Sequence, residues 1–305
     1  MEQKPKISVI LKVYNAARFI ESSVHSILNQ TFKNFELITI DDGSTDESWA
    51  ILRDLANKDQ RIKLHRNMKN MGLPKTGNLA LKLASAEFIA IQDADDWSYP
   101  DRLDRQVRFL EKNPECVALG SQMMMVNSDG LPIRLWKVPL SHADIDFRHI
   151  NGFGLQLPHP TLMTRADTMR LVEGYREEFP FSDDFDLLLR LAEVGKVENL
   201  PDVLVRHTKH GENISRLKKD MWYRYKHKAT FQAWDRRGIG TPAFKTIPNP
   251  SLRFREGGSR MVGLFIYGLK NVLRKPGSPE GWLAFKGSTA RLVRKRRYRK
   301  RNLLL

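Results

Sequence analysis

Apolar positions in the first ninety residues alternate between two periods. Ile7-Ser8-Val9-Ile10-Leu11-Lys12-Val13 and Phe35-Glu36-Leu37-Ile38-Thr39-Ile40 are rich in β-branched residues and lack helical spacing, which predicts buried strands. Between them Phe19, Ile20, Val24, Ile27 and Leu28 recur every three or four residues, the stripe of an amphipathic helix. Strand, crossover helix and strand make a βαβ unit whose strands should run parallel. The alternation continues with a helix carrying Trp49, Leu52 and Leu55, opened by a Ser44-x-x-Glu47 capping box. A strand at Ile62-Lys63-Leu64, a helix through Leu79, Leu83 and Ala84, and a strand at Phe88-Ile89-Ala90-Ile91 come next. A doubly wound α/β domain follows from this order.

Further along, Pro100 opens a helix with Leu103, Val107 and Leu110 as its buried stripe. Cys116 to Leu119 and Gln122 to Val126 predict two strands, and Asn127-Ser128-Asp129-Gly130 a hairpin turn. Met123-Met124-Met125 reads as core or as a soft contact surface. Residues 131–157, with Trp136, His142, His149 and Asn151-Gly152-Phe153-Gly154, show no clear period and are expected to form a mobile, substrate-facing segment. Phe181-Ser182-Asp183-Asp184-Phe185-Asp186 then opens a helix with Leu187, Leu188, Leu191 and Ala192 inward, closed by Gly195.

Composition adds two constraints. The 305 residues suffice for a sizeable core, and a single cysteine, Cys116, excludes an internal disulfide framework and reads as a core filler. No uncharged apolar run approaches the roughly 18 to 20 residues that cross a bilayer, and no secretory signal precedes the first strand, so a cytoplasmic protein is expected. Charge is unevenly placed. Residues 1–215 hold 27 basic and 31 acidic side chains, net −4, whereas residues 216–305 hold 24 basic and 4 acidic, net +20. This shift divides the chain into a domain over 1–215 and a basic, mainly helical extension over 216–305. Trp222, Tyr223, Tyr225, Phe231 and Trp234 suggest a helix packed on the first domain. Met261 to Leu269 reads either as a docking helix or as an interfacial one, and Arg291 to Arg301, eight basic residues in eleven, as a binder of anionic lipid or as a nucleic-acid patch. No nucleic-acid motif accompanies the charge, so nucleic acid is not the expected partner.

The candidate chemistry lies at strand ends. Asp93, Asp95 and Asp96 follow the Phe88 strand within four positions, and Asp41-Asp42 end the Phe35 strand. In open α/β sheets ligands bind outside the carboxyl ends of the strands. An Asp-x-Asp there suits a hard cation shared with substrate phosphates, or else an acidic turn that caps the next helix. No Gly-x-Gly-x-x-Gly follows the first strand, where Tyr14-Asn15 stands instead, which argues against a dinucleotide fold. Asp183 and Asp184 open a helix, a place where acids are favoured by the macrodipole and where a general base could also sit.

Taken in order, Val9-Ile10-Leu11-Lys12-Val13-Tyr14-Asn15, Asp41-Asp42-Gly43-Ser44-Thr45-Asp46, Asn70-x-Gly72, Asp93-Ala94-Asp95-Asp96, Asp183-Asp184-Phe185-Asp186 and His207-Thr208-Lys209-His210 resemble the inverting family 2 glycosyltransferases over roughly residues 5–215. The resemblance implies a GT-A type doubly wound mixed sheet flanked by helices. It implies that Tyr14, Asp41, Asp42 and Asp93 bind a nucleotide-sugar donor, that Asp95 and His210 hold Mn²⁺ or Mg²⁺, and that Asp184, with Asp183 beside it, is the general base. His210 also reads as a surface histidine. Lys12 departs from a common proline, a change that a strand tolerates, and Asp183 departs from a common glutamate, so that either Asp183 or Asp184 could face the acceptor. The expected activity is transfer of a sugar, from a UDP-sugar most readily, to a saccharide or lipid-linked acceptor in surface polysaccharide or lipopolysaccharide synthesis, at the inner face of the membrane. A nucleotidyltransferase and a non-catalytic basic adaptor are the alternatives.

Overall fold

The computed structural model describes residues 4–211 and 219–239. The chain divides into two compact units, residues 1–233 and 234–305. The expected segments at Met261 to Leu269 and Arg291 to Arg301 lie outside the described residues.

The first βαβ unit forms as its pattern predicts. Strand β1 (Ile7–Val13) pairs in parallel with β2 (Phe35–Asp41), and helix α1 (Ile20–Leu28) crosses between them, burying Ile20, Val24 and Ile27. Helix α2 (Ser48–Lys58), β3 (Ile62–Arg66), α3 (Leu73–Leu83) and β4 (Phe88–Asp93) continue the alternation, and β3 and β4 also run parallel to their neighbours. After a two-residue strand β5 (Trp97–Ser98) and helix α4 (Arg102–Lys112) come β6 (Cys116–Asn127), β7 (Pro132–Trp136) and α5 (His142–Ile150). A 3-10 turn (His159–Thr161), β8 (Met163–Arg165), α6 (Ala166–Leu171), α7 (Asp183–Val194), β9 (Lys196–Lys209) and α8 (Lys219–Arg236) follow. Among the described residues the strands form one mixed sheet in the order β3-β2-β1-β4-β8-β6-β9-β5, with β7 beside β6. Strand β8 is antiparallel to both β4 and β6, so the sheet changes direction next to the strand that carries the acidic cluster.

Period-2 alternation gives the sheet two apolar faces. Ile7, Val9, Leu11 and Val13 of β1 pack with α1, α2 and α4, whereas Ile10 packs with the group that holds α3, α6 and α7. Lys12 therefore shares the α7 side of the strand with Ile10. Cys116 is buried in the first cluster, and burial pushes its thiol up to about 12, as a core filler requires.

Four local expectations change. Ser44 and Glu47 do not form a capping box: α2 starts at Ser48 without a side-chain cap, and the Ser44 hydroxyl accepts the Asn15 amide at 3.0 Å instead. The loop after β2 is used to hold the loop after β1. Gly120-Ser121 continue β6 as one strand, because β9 absorbs the irregularity, its partner shifting from Leu200 to Val203 between Ser121 and Gln122. Helix α3 buries Pro74, Thr76, Gly77 and Ala80 and leaves Leu79 and Leu83 partly exposed. The aperiodic stretch 131–157 contains β7 and α5, and Ser141 caps α5 by accepting the Asp144 amide. Helix α8 forms, with Ala229 and Ala233 packed on Phe179, Phe185 and Leu189. Among the described residues no helix is long and apolar enough to cross a membrane.

Candidate active site

Parallel pairing sets three strand ends side by side, with Val13 opposite Asp41 and Lys12 opposite Asp93. The carboxyl edge of the sheet is thus acidic by register alone. The loop after β4 is organised by its last acid. Asp96 is buried, accepts the Thr208 amide at 3.0 Å and contacts His207 Nδ1 at 3.0 Å. Burial opposes charge on His207, but Asp96, with Asp95 and Asp93 behind it, pushes the imidazole up to about 9. The ring is therefore an imidazolium at neutral pH, and it offsets one charge of the acidic loop.

Asp95 faces the last residues of the same strand system. Its Oδ2 lies 2.9 Å from His210 Nε2, and the His210 ring stacks at 4.6 Å against Phe19. Asp93 points the other way. Burial, then Asp96 and Asp95, raise its carboxyl to about 7, and its Oδ1 is 3.9 Å from His159 Nδ1. Burial, then the charges of Lys12 and Arg102, lower His159 to about 3, so it is neutral, with Nε2 2.9 Å from the Tyr175 hydroxyl.

Opposite this loop stands the start of α7. Three acids occupy its first turn, and they separate by function. Asp186 is bound by Arg176 and by Arg190, each through Nε at 2.9 Å, which makes it structural. Asp183 is buried with its Oδ2 4.0 Å from Lys12 Nζ, and burial raises its pKa against the pull of that lysine. Asp184 is half-buried, accepts the Phe185 amide at 2.6 Å, and is raised to about 8 by burial, with Asp183 and Asp93 adding to the shift. A carboxyl titrating there can accept a proton near neutral pH.

The strand-end pair after β2 is more heavily engaged. Asp42 accepts from Asn67 Nδ2 at 2.7 Å and from the Met71 and Gly72 amides at 2.9 and 3.0 Å, which clamps the loop 67–72. Gly43, at φ +74, lies against that loop: a Cβ would stand 2.6 Å from the Lys69 carbonyl carbon. Asp41 binds Arg66 at 3.1 Å through Oδ2, while its buried Oδ1 has no hydrogen-bond partner, an orphaned acceptor at the ligand edge. Tyr14 is about half exposed at the same edge, before Asn15 at φ 49.

The structure thus assembles Asp93 and Asp95 in one loop and Asp183 and Asp184 across from it, and puts His210 on Asp95. Asp41, Asp42 and Tyr14 sit at the neighbouring strand ends. The sequence pattern missed His207, His159, Tyr175 and Arg102 as parts of the site, and treated Lys12 as a tolerated departure. The signal for Lys12 was present, since strand alternation puts it on the Ile10 face.

Among the described residues no three His, Cys, Asp or Glu side chains converge as a metal cage. Asp95 and His210 still provide a carboxylate and an imidazole at one point, a donor set that fits a divalent cation taking its remaining ligands from water and a diphosphate.

The fold is that of GT-A glycosyltransferases. S. aureus TarS in complex with UDP-GlcNAc superposes with a TM-score of 0.60 at 21% identity, covering 86% of this chain and 80% of that one. Mannosyltransferase PcManGT from Pyrobaculum calidifontis, in complex with GDP-Man and Mn²⁺, gives 0.58 at 18% identity over 95% and 81%. The Glycosyl transferase family 2 model matches residues 8–171. An uncharacterized glycosyltransferase of Haemophilus influenzae is 33% identical over 226 residues, 70% of this chain and 69% of its own length. Chondroitin synthase of Escherichia coli is 25% identical over 82% of this chain and 35% of its own. The chain belongs to glycosyltransferase family 2.

Proposed function

We propose that this glycosyltransferase is inverting and metal-dependent, and moves a sugar from a nucleotide-diphosphate sugar, a UDP-sugar by preference, to a saccharide or lipid-linked acceptor of a surface polysaccharide or lipopolysaccharide. The observation that carries the reading is the placement of Asp183 and Asp184 in the first turn of α7, across from a second and separate acidic site at Asp95 and His210. Single-displacement transfer needs a base on the acceptor hydroxyl and charge compensation on the departing diphosphate. Asp184 takes the hydroxyl proton as the acceptor oxygen bonds to the anomeric carbon, and the bond from that carbon to the diphosphate oxygen breaks. Asp95 and His210 would hold the cation, which when bound neutralises charge on the diphosphate. The orphaned Asp41 oxygen and exposed Tyr14 support a base-binding end of the donor pocket, and Asp93, between the two acidic sites, its sugar end. The names of the relatives and structural neighbours support a nucleotide-sugar donor and a polysaccharide product. The basic extension supports placement at an anionic membrane surface.

The test is a panel of nucleotide sugars titrated with and without Mn²⁺, followed by turnover with the donor that binds. Asp184→Asn should retain donor affinity and lose on the order of 10²-fold or more in turnover. Asp95→Asn should lose the Mn²⁺ dependence of donor binding, because a neutral amide is a poor ligand for a hard cation. Unchanged turnover in the first variant returns the base to Asp183, and unchanged Mn²⁺ dependence in the second removes Asp95 from the metal site.

A further inference from the structure

The site contains a buried lysine that the transfer chemistry just described does not use. We propose that Lys12 is the counter-cation of the Asp183 and Asp184 pair, a positioning residue that raises the ionised fraction of the pair for proton abstraction; the proposal rests on the reading of Asp184 as the base.

The geometry carries it. The Lys12 side chain is 9% exposed and that of Asp183 6%, with Nζ and Oδ2 4.0 Å apart. A buried ammonium is retained where an anion compensates it. The ammonium also stands 4.9 Å above the Tyr175 ring, and that ring is fixed on several sides. Its hydroxyl meets His159 at 2.9 Å, its backbone exchanges two hydrogen bonds with the Asn78 side chain at 2.7 and 2.9 Å, and its face lies where a Cβ on Gly77 would come within 2.8 Å. The lysine is therefore held by Tyr175 on one side and by an acid of the pair on the other. Charged and titratable groups facing the pair are Lys12 on β1, Asp93 on β4, Asp186 on α7 and the Tyr175 hydroxyl before α7. His159 stays neutral, and the charge of Arg190 is bound to Asp186. Asp183 and Asp93 oppose ionisation of Asp184, Asp186 opposes that of Asp183, and Lys12 favours both. Without the cation, the second of two adjacent carboxyls would hold its proton to still higher pH.

The experiment compares full-length wild type, Lys12→Met, Lys12→Arg and Asp184→Asn by kcat/KM from pH 5.5 to 9.5, with donor affinity titrated in parallel. In the wild type the acid limb reports ionisation of the pair. Lys12→Met should move its midpoint up by about one pH unit or more, the span of an opposite charge within ~4–6 Å. The rate at pH 7 then drops on the order of 10-fold, while donor affinity stays within about twofold of wild type. Lys12→Arg should restore the limb, since the guanidinium keeps the charge. Where Lys12→Met loses the wild-type circular dichroism, Lys12→Gln replaces it. An acid limb that Asp184→Asn abolishes but Lys12→Met leaves in place keeps Asp184 as base and overturns the proposal for Lys12. So does a loss confined to the KM of one substrate, which would make Lys12 a binding residue. Wild-type turnover in Asp184→Asn overturns the reading of the base itself.

Discussion

Arg102 is fully buried beneath the acidic loop, and each of its guanidinium nitrogens has a partner. Nε donates to Gln106, Nη1 to Gln92 and Ser98, and Nη2 to the Ile91 carbonyl at 2.7 Å. Burial lowers its pKa to about 10, while Asp93 and Asp96 above it favour its charge. Its carbonyl and amide partners hold the end of β4, so the guanidinium sets both the position and the charge balance of the loop. Arg102→Ala should destabilise the fold by about 3–5 kcal/mol, the cost of leaving buried charge and acceptors uncompensated, read from the urea midpoint. A loss under about 1 kcal/mol would mean that water replaces the guanidinium and that the loop does not depend on it. The acids of this loop were readable because they follow a strand within four positions. Arg102 was not, since two residues after Pro100 it looks like any solvated residue of a first helical turn. Its partners Gln92 and Ile91 lie on the preceding strand and its partner Leu162 is 60 residues away, and hydrophobic period carries no information about such contacts. His207 was missed for the same reason, as a charge whose partner is brought by the fold rather than by neighbours in sequence.

At the level of single elements, the strands and helices of the first domain follow their apolar period, and the departures come from small or polar residues with a tertiary task. Helix α3 is the clearest case. Its expected stripe through Leu79 and Leu83 is partly exposed, while Thr76, Gly77 and Ala80 are buried, because small side chains let the helix approach Tyr175. Gly77→Ala would gain about 1 kcal/mol of helix propensity but must displace a ring fixed by His159 and Asn78, an overpacking cost of about 1–3 kcal/mol. The expected outcome is a net loss of stability with reduced turnover, measured by thermal midpoint and by assay. A raised midpoint would show that the ring moves aside freely and that the packing of Tyr175 does not hold Lys12. Ser44 and Asp46 give a second example. A capping box is a local pattern, yet here Ser44 binds the Asn15 amide and Asp46 the Ala17 and Ser48 amides, so the loop after β2 braces the loop after β1. Sequence shows that Ser44 and Asp46 accept hydrogen bonds; only the pairing of β1 with β2 decides from which donors.

Over the whole chain the charge divides sharply, with net +20 on residues 216–305. Eight basic residues between Arg291 and Arg301 would each add about 1 kcal/mol of attraction near an anionic surface. Deleting residues 291–305 should release the protein from anionic vesicles and spare transfer to a soluble acceptor analogue. High salt should mimic the deletion, because the attraction is screened over about 8 Å at physiological ionic strength. Co-sedimentation with anionic and zwitterionic vesicles across a salt series reads this out, and equal sedimentation of both proteins would end the membrane reading. The pairing of Asp96 with His207 spans 111 residues, and that of Asp95 with His210 spans 115. A ribosome adding about 5–20 residues per second makes the acidic loop about 6 to 23 seconds before its histidines. Through that interval the nascent chain carries the acids of the loop without the imidazolium that offsets them, and β5 without the strand that closes it. The site begun by the acids of the first hundred residues is therefore completed late in synthesis, after β9 has left the exit tunnel.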